Sequence, residues 1–345
     1  MFKKNTLIIF MTLLMCITSI NLYAGGDRRN GTGGAQELLI PVGARGLALS
    51  GSNIAGLEGI ESLYYNPAGL GVSKKSAEAM FSQLNYIADI GVSYAAVSMN
   101  FEGFGSLGFN FKTINFGDIP ITTVENPQGT GSTFSPKFFT AGLTYSNALT
   151  DRIRVGVTVN LITEKIVTTS ASGMAFTAGV QYNGIAGVEG LKMGVVLKNI
   201  GPQMKYDGAD LLRYASDNAA LRGQQYYKLD AASFELPSQL ELGLAYERTF
   251  TEDFKGLLAT SFENNNFSND EYKLGGELNY KNTFFVRGGY VYTKEGADNV
   301  DQKIFGATYG AGVNISSGVD ITVDYAYREA TYFNANHMFS IKLGF

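Results

Sequence analysis

The chain has 345 residues, of which 42 are glycine, 20 tyrosine and 23 phenylalanine, and only 17% are charged. A typical soluble domain is about a quarter charged, yet a mean hydropathy near zero also excludes a bundle of apolar helices. One histidine and one cysteine exclude a disulfide framework and a metal site built from several of these residues. This composition favours β-structure whose outer surface does not face water.

The first 24 residues have the pattern of a secretory signal. A short basic start precedes an apolar run from Leu7 to Ile17, and Ala24 supplies a small residue at the expected cleavage site. Cleavage there removes Cys16, so the mature chain suits an oxidising envelope compartment. An uncleaved anchor is the other interpretation of residues 1–24. The net charge of −4 offers no basic surface, so we expect no nucleic-acid partner.

After the signal, strict alternation of apolar and polar residues runs through most of the chain. One such segment places five apolar residues on a single face: Ile153, Val155, Val157, Val159 and Leu161. Alternation of this kind predicts a β-strand. Fourteen segments follow the pattern, starting near Ala77, Gly91, Gly105, Ser135, Arg152, Gly173, Leu191, Pro237, Lys255, Glu271, Thr283, Lys303, Gly318 and Asn336. An even number of antiparallel strands is typical of a bacterial transmembrane barrel.

Alternation alone leaves open which face points outward. A soluble all-β protein buries its apolar face, whereas a membrane barrel turns that face towards lipid. The polar faces carry glycines such as Gly306, Gly310 and Gly312, which suit a crowded lumen. Tyrosines near strand ends, such as Tyr290 and Tyr292, suit a girdle at the membrane interface. Both features favour the membrane barrel.

Turn lengths alternate along the chain. Short turns are predicted at residues 102–103, 147–151, 281–282 and 316–318, and longer loops at residues 117–134, 201–234, 294–302 and 329–335. Outer-membrane barrels have short periplasmic turns and long outer loops. The sequence therefore predicts an all-β fold, a fourteen-stranded antiparallel transmembrane β-barrel over residues 77–345, surrounded by lipid of the bacterial outer membrane. Within the longest loop, residues 210–222 are predicted to form a short helix.

Charged residues on the strands fall on the glycine-bearing faces. This supports an inward position, because a lipid-facing Lys or Arg near the midplane costs about 2–4 kcal/mol. Arg287, Asp320, Asp324 and Lys342 belong to strands that are close in sequence order. We predict that they form a charge network in the lumen that stiffens the barrel or holds the N-terminal segment. A hydrolase with paired carboxylates is the alternative.

Two motifs resemble enzyme signatures but fit strands better. Residues 103–108 match GxGxxG, yet β alternation follows them where a nucleotide fold requires a helix. Residues 91–95 loosely match a nucleophile elbow around Ser93, and His337 is the only histidine that could pair with that serine. We therefore expect no catalytic residue, no metal site and no cofactor in a barrel that is not an enzyme.

Residues 25–76 precede the first predicted strand and differ from it in kind. A glycine-rich lead comes first, and two stretches of small residues follow. Their principal residues are Gly43, Arg45, Gly46, Gly51, Asn66, Pro67, Ala68 and Gly69. Small residues allow close packing, and Asn-Pro sets a turn. We predict that this segment folds into the barrel as a plug.

Both stretches resemble the N-terminal signature of the PorV/PorQ-type outer membrane proteins, relatives of the FadL-type hydrocarbon transporters. The resemblance covers residues 36–71 by motif, and an Asn-Pro-Ala plug motif of FadL-type proteins matches Asn66, Pro67 and Ala68. The resemblance implies a fourteen-stranded barrel with a plug. It also implies that the protein binds secretion-system proteins or exported cargo in type IX secretion. The alternative is a FadL-like channel whose ligands are hydrophobic molecules such as fatty acids.

Overall fold

A computed structural model of the chain describes residue 29 and residues 31–73, 75–217, 222–293 and 304–345. The predicted signal lies outside these residues. Among the described helices, none combines the length and apolar character needed to cross a membrane.

Fourteen antiparallel strands form one closed sheet in which each strand pairs with its neighbours in sequence. The strands are β1 (Ala77–Asn85), β2 (Gly91–Phe101), β3 (Gly105–Asn115), β4 (Lys137–Ala148), β5 (Ile153–Ile166), β6 (Thr169–Asn183), β7 (Leu191–Ile200), β8 (Gln239–Thr249), β9 (Phe254–Asn265), β10 (Glu271–Tyr280), β11 (Phe284–Thr293), β12 (Phe305–Ser317), β13 (Val319–Ala330) and β14 (Asn336–Gly344). Pairing of β14 with β1 closes the ring. The predicted barrel is confirmed, and each predicted strand start lies within four residues of the observed one.

The apolar faces of the strands point outward. Val157 and Leu161 on β5, and Phe339 on β14, are each more than half exposed. The side chains between them point inward because successive Cβ atoms of a strand project to opposite faces. Thr158 is accordingly 2% exposed and Ser340 3% exposed. The arrangement is that of a membrane barrel and the reverse of a soluble one.

Connections between strands alternate in length largely as predicted. The short-turn side includes the links β2–β3, β10–β11 and β12–β13, each of three residues or fewer. The long-loop side includes residues 116–136 and 201–238. Two links depart from the rule: the β5–β6 turn at residues 167–168 is tight although it lies on the long-loop side, and residues 184–190 form a longer link on the short-turn side.

The predicted helix over residues 210–222 is wrong. In the described part of that range, residues 212–217 form a strand that pairs with Arg222–Lys228 in a hairpin, while residues 218–221 lie outside the described residues. Tyr214 and Tyr226 lie directly opposite each other in it, with ring centroids 5.0 Å apart. Aromatic residues favour strands, and a cross-strand aromatic pair stabilises a hairpin. Strand pairing between distant residues therefore outweighs local helix propensity here.

Residues 31–73 run through the barrel from the long-loop side to the short-turn side. At one end the Gly34 amide donates to the Glu235 carbonyl of the longest loop (3.1 Å). At the other end, the Gly71 amide donates to Ser146 Oγ, near the end of β4 that leads into a short turn (3.1 Å). The segment consists of short helices: Gln36–Leu39, α1 (Ala44–Ala48), Gly59–Glu61, α2 (Ser62–Tyr65) and Pro67–Val72. Its apolar side chains, with the strand residues facing them, form the buried core.

Placing a charge on the outward face should destabilise the barrel. Leu161 lies near the middle of β5 and is 52% exposed, so Leu161→Arg should cost about 2–4 kcal/mol in a bilayer. Leu229→Arg, in the long loop at 49% exposure, should leave stability nearly unchanged. Urea titration of the two variants in lipid vesicles measures the difference. Equal stability would mean that the exposed face of β5 does not contact lipid.

Candidate functional site: the lumen and its N-terminal segment

The two small-residue stretches predicted from the sequence contact each other inside the barrel. The Tyr65 ring covers Gly46 where any Cβ would stand, and the Tyr65 hydroxyl donates to the Val42 carbonyl (3.0 Å). Gly43 and Gly51 flank α1 with φ of 75° and 72°, in the left-handed region that favours glycine. Glycine at these positions therefore lets α1 sit under the aromatic ring.

Asn66 joins this segment to the barrel wall. Its Oδ1 accepts from the Ala68 amide (3.1 Å) and caps the helix that begins at Pro67. Its Nδ2 donates to the Ile54 carbonyl (2.9 Å) and to the Val180 carbonyl on β6 (3.3 Å). One fully buried amide thus holds two parts of the segment and one strand together.

Glycines on the inward faces of the strands make room for the segment. A Cβ on Gly156 of β5 would collide with the backbone of Pro67, and one on Gly310 of β12 with Ala48. A Cβ on Gly69, one of the residues singled out in the sequence, would likewise collide with the Leu57 carbonyl within the segment. The many lumen-facing glycines therefore allow chain to lie directly on chain.

An ion-pair network joins α1 to the wall. Arg45 Nε and Nη2 donate to the two carboxylate oxygens of Glu277 on β10 (2.8 and 3.0 Å), and its Nη1 lies 3.4 Å from Glu61 Oε2. Arg287 on β11 bonds Glu277 Oε2 (2.6 Å) and Asp324 Oδ1 on β13 (2.5 Å). The network thus alternates positive and negative groups across segment and strands.

The structure brings together only part of the predicted charge network. Arg287 and Asp324 pair directly, whereas Lys342 reaches the network through Glu61 Oε2 (3.8 Å). Asp320 lies elsewhere, where it pairs with Lys75 and accepts from Ser316. Glu61 is a member that the sequence reasoning missed, because residues 52–62 show no periodicity that would mark an inward-facing acid.

The two charges that the segment brings to this network, Arg45 and Glu61, are stabilised by their partners. Burial lowers the pKa of Arg45, but the carboxylates of Glu277 and Glu61 outweigh burial and raise this pKa above its ordinary range. Burial likewise raises the pKa of Glu61, but Lys342 and Arg45 outweigh it and leave this pKa below its ordinary value. Both groups therefore stay charged at physiological pH.

A cavity of about 870 Å³ lies between the segment and the long-loop half of the barrel. One side of its lining is apolar, with Tyr86, Ile87, Ile90, Ile114, Phe116, Phe138 and Phe305 on the wall and Leu39, Ile40, Pro41 and Leu47 on the segment. The other side is polar and charged, with Glu164, Lys198, Glu241, Glu263, Glu271 and Lys273. The sequence analysis placed strand charges in the lumen but singled out neither these six residues nor the apolar wall, whose residues lie at strand ends and in connections.

The enzyme-like motifs find no partners for chemistry. Residues 103–108 form a turn and the start of β3. Ser93 donates to Gln83 Oε1 (2.6 Å), while His337 Nδ1 shares a hydrogen bond with the Tyr325 hydroxyl (2.8 Å). Among the described residues, no group of three or more His, Cys, Asp or Glu side chains could hold a metal ion.

No protein-family model matches the chain, and no curated protein matches it. The PorV/PorQ resemblance over residues 36–71 therefore gains no support from either comparison.

Solved structures do share the fold. The toluene transporter TodX of Pseudomonas putida superposes with a TM-score of 0.55 at 13% identity, over 88% of this chain and 96% of TodX. A FadL homologue of Pseudomonas aeruginosa gives a TM-score of 0.55 at 11% identity, over 88% of this chain and 98% of the homologue. A TodX deletion mutant, a monoaromatic hydrocarbon channel, gives 0.53 at 12% identity, over 88% and 97%. The fold is that of FadL-type barrels of the bacterial outer membrane, the location predicted from the sequence.

Removing the Arg45 guanidinium should loosen the segment. Arg45→Gln leaves Glu277 and Glu61 buried with one cation fewer, a change that costs about 3–5 kcal/mol when a buried pair is broken. Arg29→Gln is the control, because the exposed Arg29–Glu235 pair should contribute at most about 1 kcal/mol. Denaturant titration compares the two. The double variant R45Q/E277Q should recover part of the lost stability. If R45Q alone leaves the stability unchanged, the ion pairs do not hold the segment.

Adding one methyl group at Gly156 should displace the segment. Gly156→Ala places a Cβ against backbone atoms of Pro67 and Ala68, which cannot rotate away, so about 1–3 kcal/mol should be lost. The matched control is Gly288→Ala, where the nearest atom to a Cβ is 3.8 Å away. Limited proteolysis of residues 31–73 reports the displacement. Identical cleavage rates in both variants would contradict close packing at β5.

Proposed function

We propose that the protein is an outer-membrane channel for hydrophobic or amphipathic small molecules, with the N-terminal segment as its plug. The observation that carries this proposal is the lumen cavity of about 870 Å³. Ligand pockets usually enclose about 300–1,000 Å³ and are largely apolar with a few polar groups. The aromatic and aliphatic wall around Ile90 and Ile114 gives such a molecule a surface to contact.

The fold agrees with this proposal. TodX is a toluene transporter, and its deletion mutant is a monoaromatic hydrocarbon channel. In this chain residues 31–73 run through the lumen and leave the cavity on the long-loop side. A molecule can therefore pass only if the segment shifts or if a path opens between the segment and the wall. The close contacts at Gly156 and Gly310 leave no gap there. The charge network and Asn66 therefore hold the closed state.

A second candidate is a PorV-like component that binds secretion-system proteins or exported cargo. It rests on residues 36–71 and on the outer hairpin, where Tyr226 is 72% exposed and available to a protein partner. The small residues of that stretch serve packing inside the barrel, which any plugged barrel requires. The cavity therefore favours the channel. A pull-down of the tagged barrel from native membranes that recovers type IX secretion components would favour the second candidate.

Uptake measurements test the channel. Cells that lack an equivalent channel should take up toluene, or the neutral fluorescent probe N-phenyl-1-naphthylamine, faster when they express the barrel. Ile90→Trp fills the cavity beside its apolar wall and should slow this uptake severalfold. Ile121→Trp is the control, since Ile121 is exposed in a loop away from the cavity. The barrel and its variants are compared at matched expression levels. If cells that express the barrel take up these molecules no faster than cells with an empty vector, the proposal is overturned.

A further inference from the structure

The cavity has two chemically different walls that face each other. In a closed ring of fourteen strands, strands seven positions apart lie opposite, so β1–β3 face β8–β10. The β1–β3 side contributes Tyr86, Ile90 and Ile114, and the β8–β10 side contributes Glu241 and Lys273 with their neighbours. A pure hydrocarbon bound here contacts only the apolar wall, whereas a molecule that also carries a polar end can pair with the charged groups.

The charged wall has more carboxylates than ammonium groups. Glu241 accepts from Lys198 Nζ (2.8 Å), and Glu263 accepts from Lys273 Nζ (2.6 Å). Glu271 lies 3.6 Å from the same Lys273. Three acids thus share two lysines on this wall.

Glu37 lacks hydrogen-bond donors for its carboxylate. It lines the cavity from the segment and is 3% exposed, yet neither of its carboxylate oxygens accepts a hydrogen bond from the described residues. Lys112 of β3 is close but donates to the main-chain carbonyls of Glu37 (2.6 Å) and Ile40 (3.1 Å). When Glu37 is ionised, a buried carboxylate without donors is costly, and only a proton shared with Glu164 relieves it, so this position suits a donor from a ligand.

A second carboxylate stands beside Glu37. Glu164 of β5 also lines the cavity at 3% exposure, and its Oε2 accepts from the Tyr206 hydroxyl of the long loop. Burial, followed by repulsion from Glu164, raises the pKa of Glu37 to about 8. When both are ionised, the two neighbouring carboxylates attract positive charge.

We propose that the cavity selects amphipathic amines, whose ammonium group binds Glu37 beside Glu164 while the apolar body lies against the β1–β3 wall. This deepens the proposed function and rests on it. An ammonium group carries three donors and no acceptor, which matches the two facing carboxylates. A carboxylate ligand would instead favour Arg328, which stacks on Phe305 at 3.5 Å and donates to Asn336.

Binding should depend on pH with a defined sign. The charged and titratable groups that face Glu37 are Lys112, Glu164 and Tyr206. Below about pH 8 Glu37 carries a proton, and an ammonium group binds its ionised form better. Affinity for an amine should therefore rise from about pH 6 to about pH 9, and binding near pH 7 should release a proton.

Three probes that share a phenylbutyl group and differ in their terminal group test the proposal on the purified barrel in detergent: 4-phenylbutylamine, 4-phenylbutanol and 4-phenylbutanoate. Calorimetry should show the amine binding about tenfold more tightly than the alcohol, the effect of one charge-assisted hydrogen bond. Glu37→Gln should remove this preference, the proton release and the pH dependence, while binding of the alcohol persists. Glu189→Gln, in an exposed short-side turn, is the control and should change nothing.

Each outcome decides a different point. Equal binding of the three probes, or tighter binding of the carboxylate, overturns amine selection and leaves the channel standing. Binding of none of them removes both the channel proposal and the inference. A preference for the amine that survives in E37Q would remove Glu37 from the site. Heat-dependent gel mobility confirms that each variant is a folded barrel before its binding is compared.

Discussion

The ion pair between Arg45 and Glu277 is the interaction on which the interior depends. A barrel in lipid turns its polar side chains inward, and charges buried there against the segment need partners. The strands supply Glu277, Arg287 and Asp324, and the N-terminal segment supplies Arg45 and Glu61. Arg45 of the segment and Arg287 of the wall both bond Glu277, so the two parts share this carboxylate. The segment is therefore part of the barrel's interior and fixes how much space remains for a ligand.

Most of the barrel could be predicted from the sequence, because lipid outside and a crowded lumen inside impose period two on each strand. That pattern is local, so the strand starts are nearly right even where loops interrupt them. The hairpin around Tyr214 and Tyr226 could not be predicted in this way, since its pairing depends on residues twelve positions apart. The path of residues 31–73 was out of reach for the same reason: its contacts are with strands throughout the chain.

The charge network shows what the alternation of inward and outward residues along a strand can and cannot predict. Alternation places Arg287, Asp320 and Asp324 on the inward face, but it says nothing about height along the barrel. Asp324 stands level with Gly312, whose missing side chain lets Arg287 reach across β12. Asp320 stands four residues nearer the short-turn side and meets Lys75 instead. Glu37 and Glu61 carry no periodic signal, so the cavity's most unusual acid was visible only in three dimensions.

The path of residues 31–73 restricts how the molecule can assemble. The segment starts among the long loops and ends at β1 on the opposite side, so the finished ring surrounds its own chain. If β14 paired with β1 first, the leading end would have to be drawn through a closed ring, past positions such as Gly156 and Gly310 where the segment lies directly on the wall. Closing the seam around a segment already in place avoids that threading. On this route the N-terminal segment is the template around which the first strand, β1, and the last strand, β14, meet.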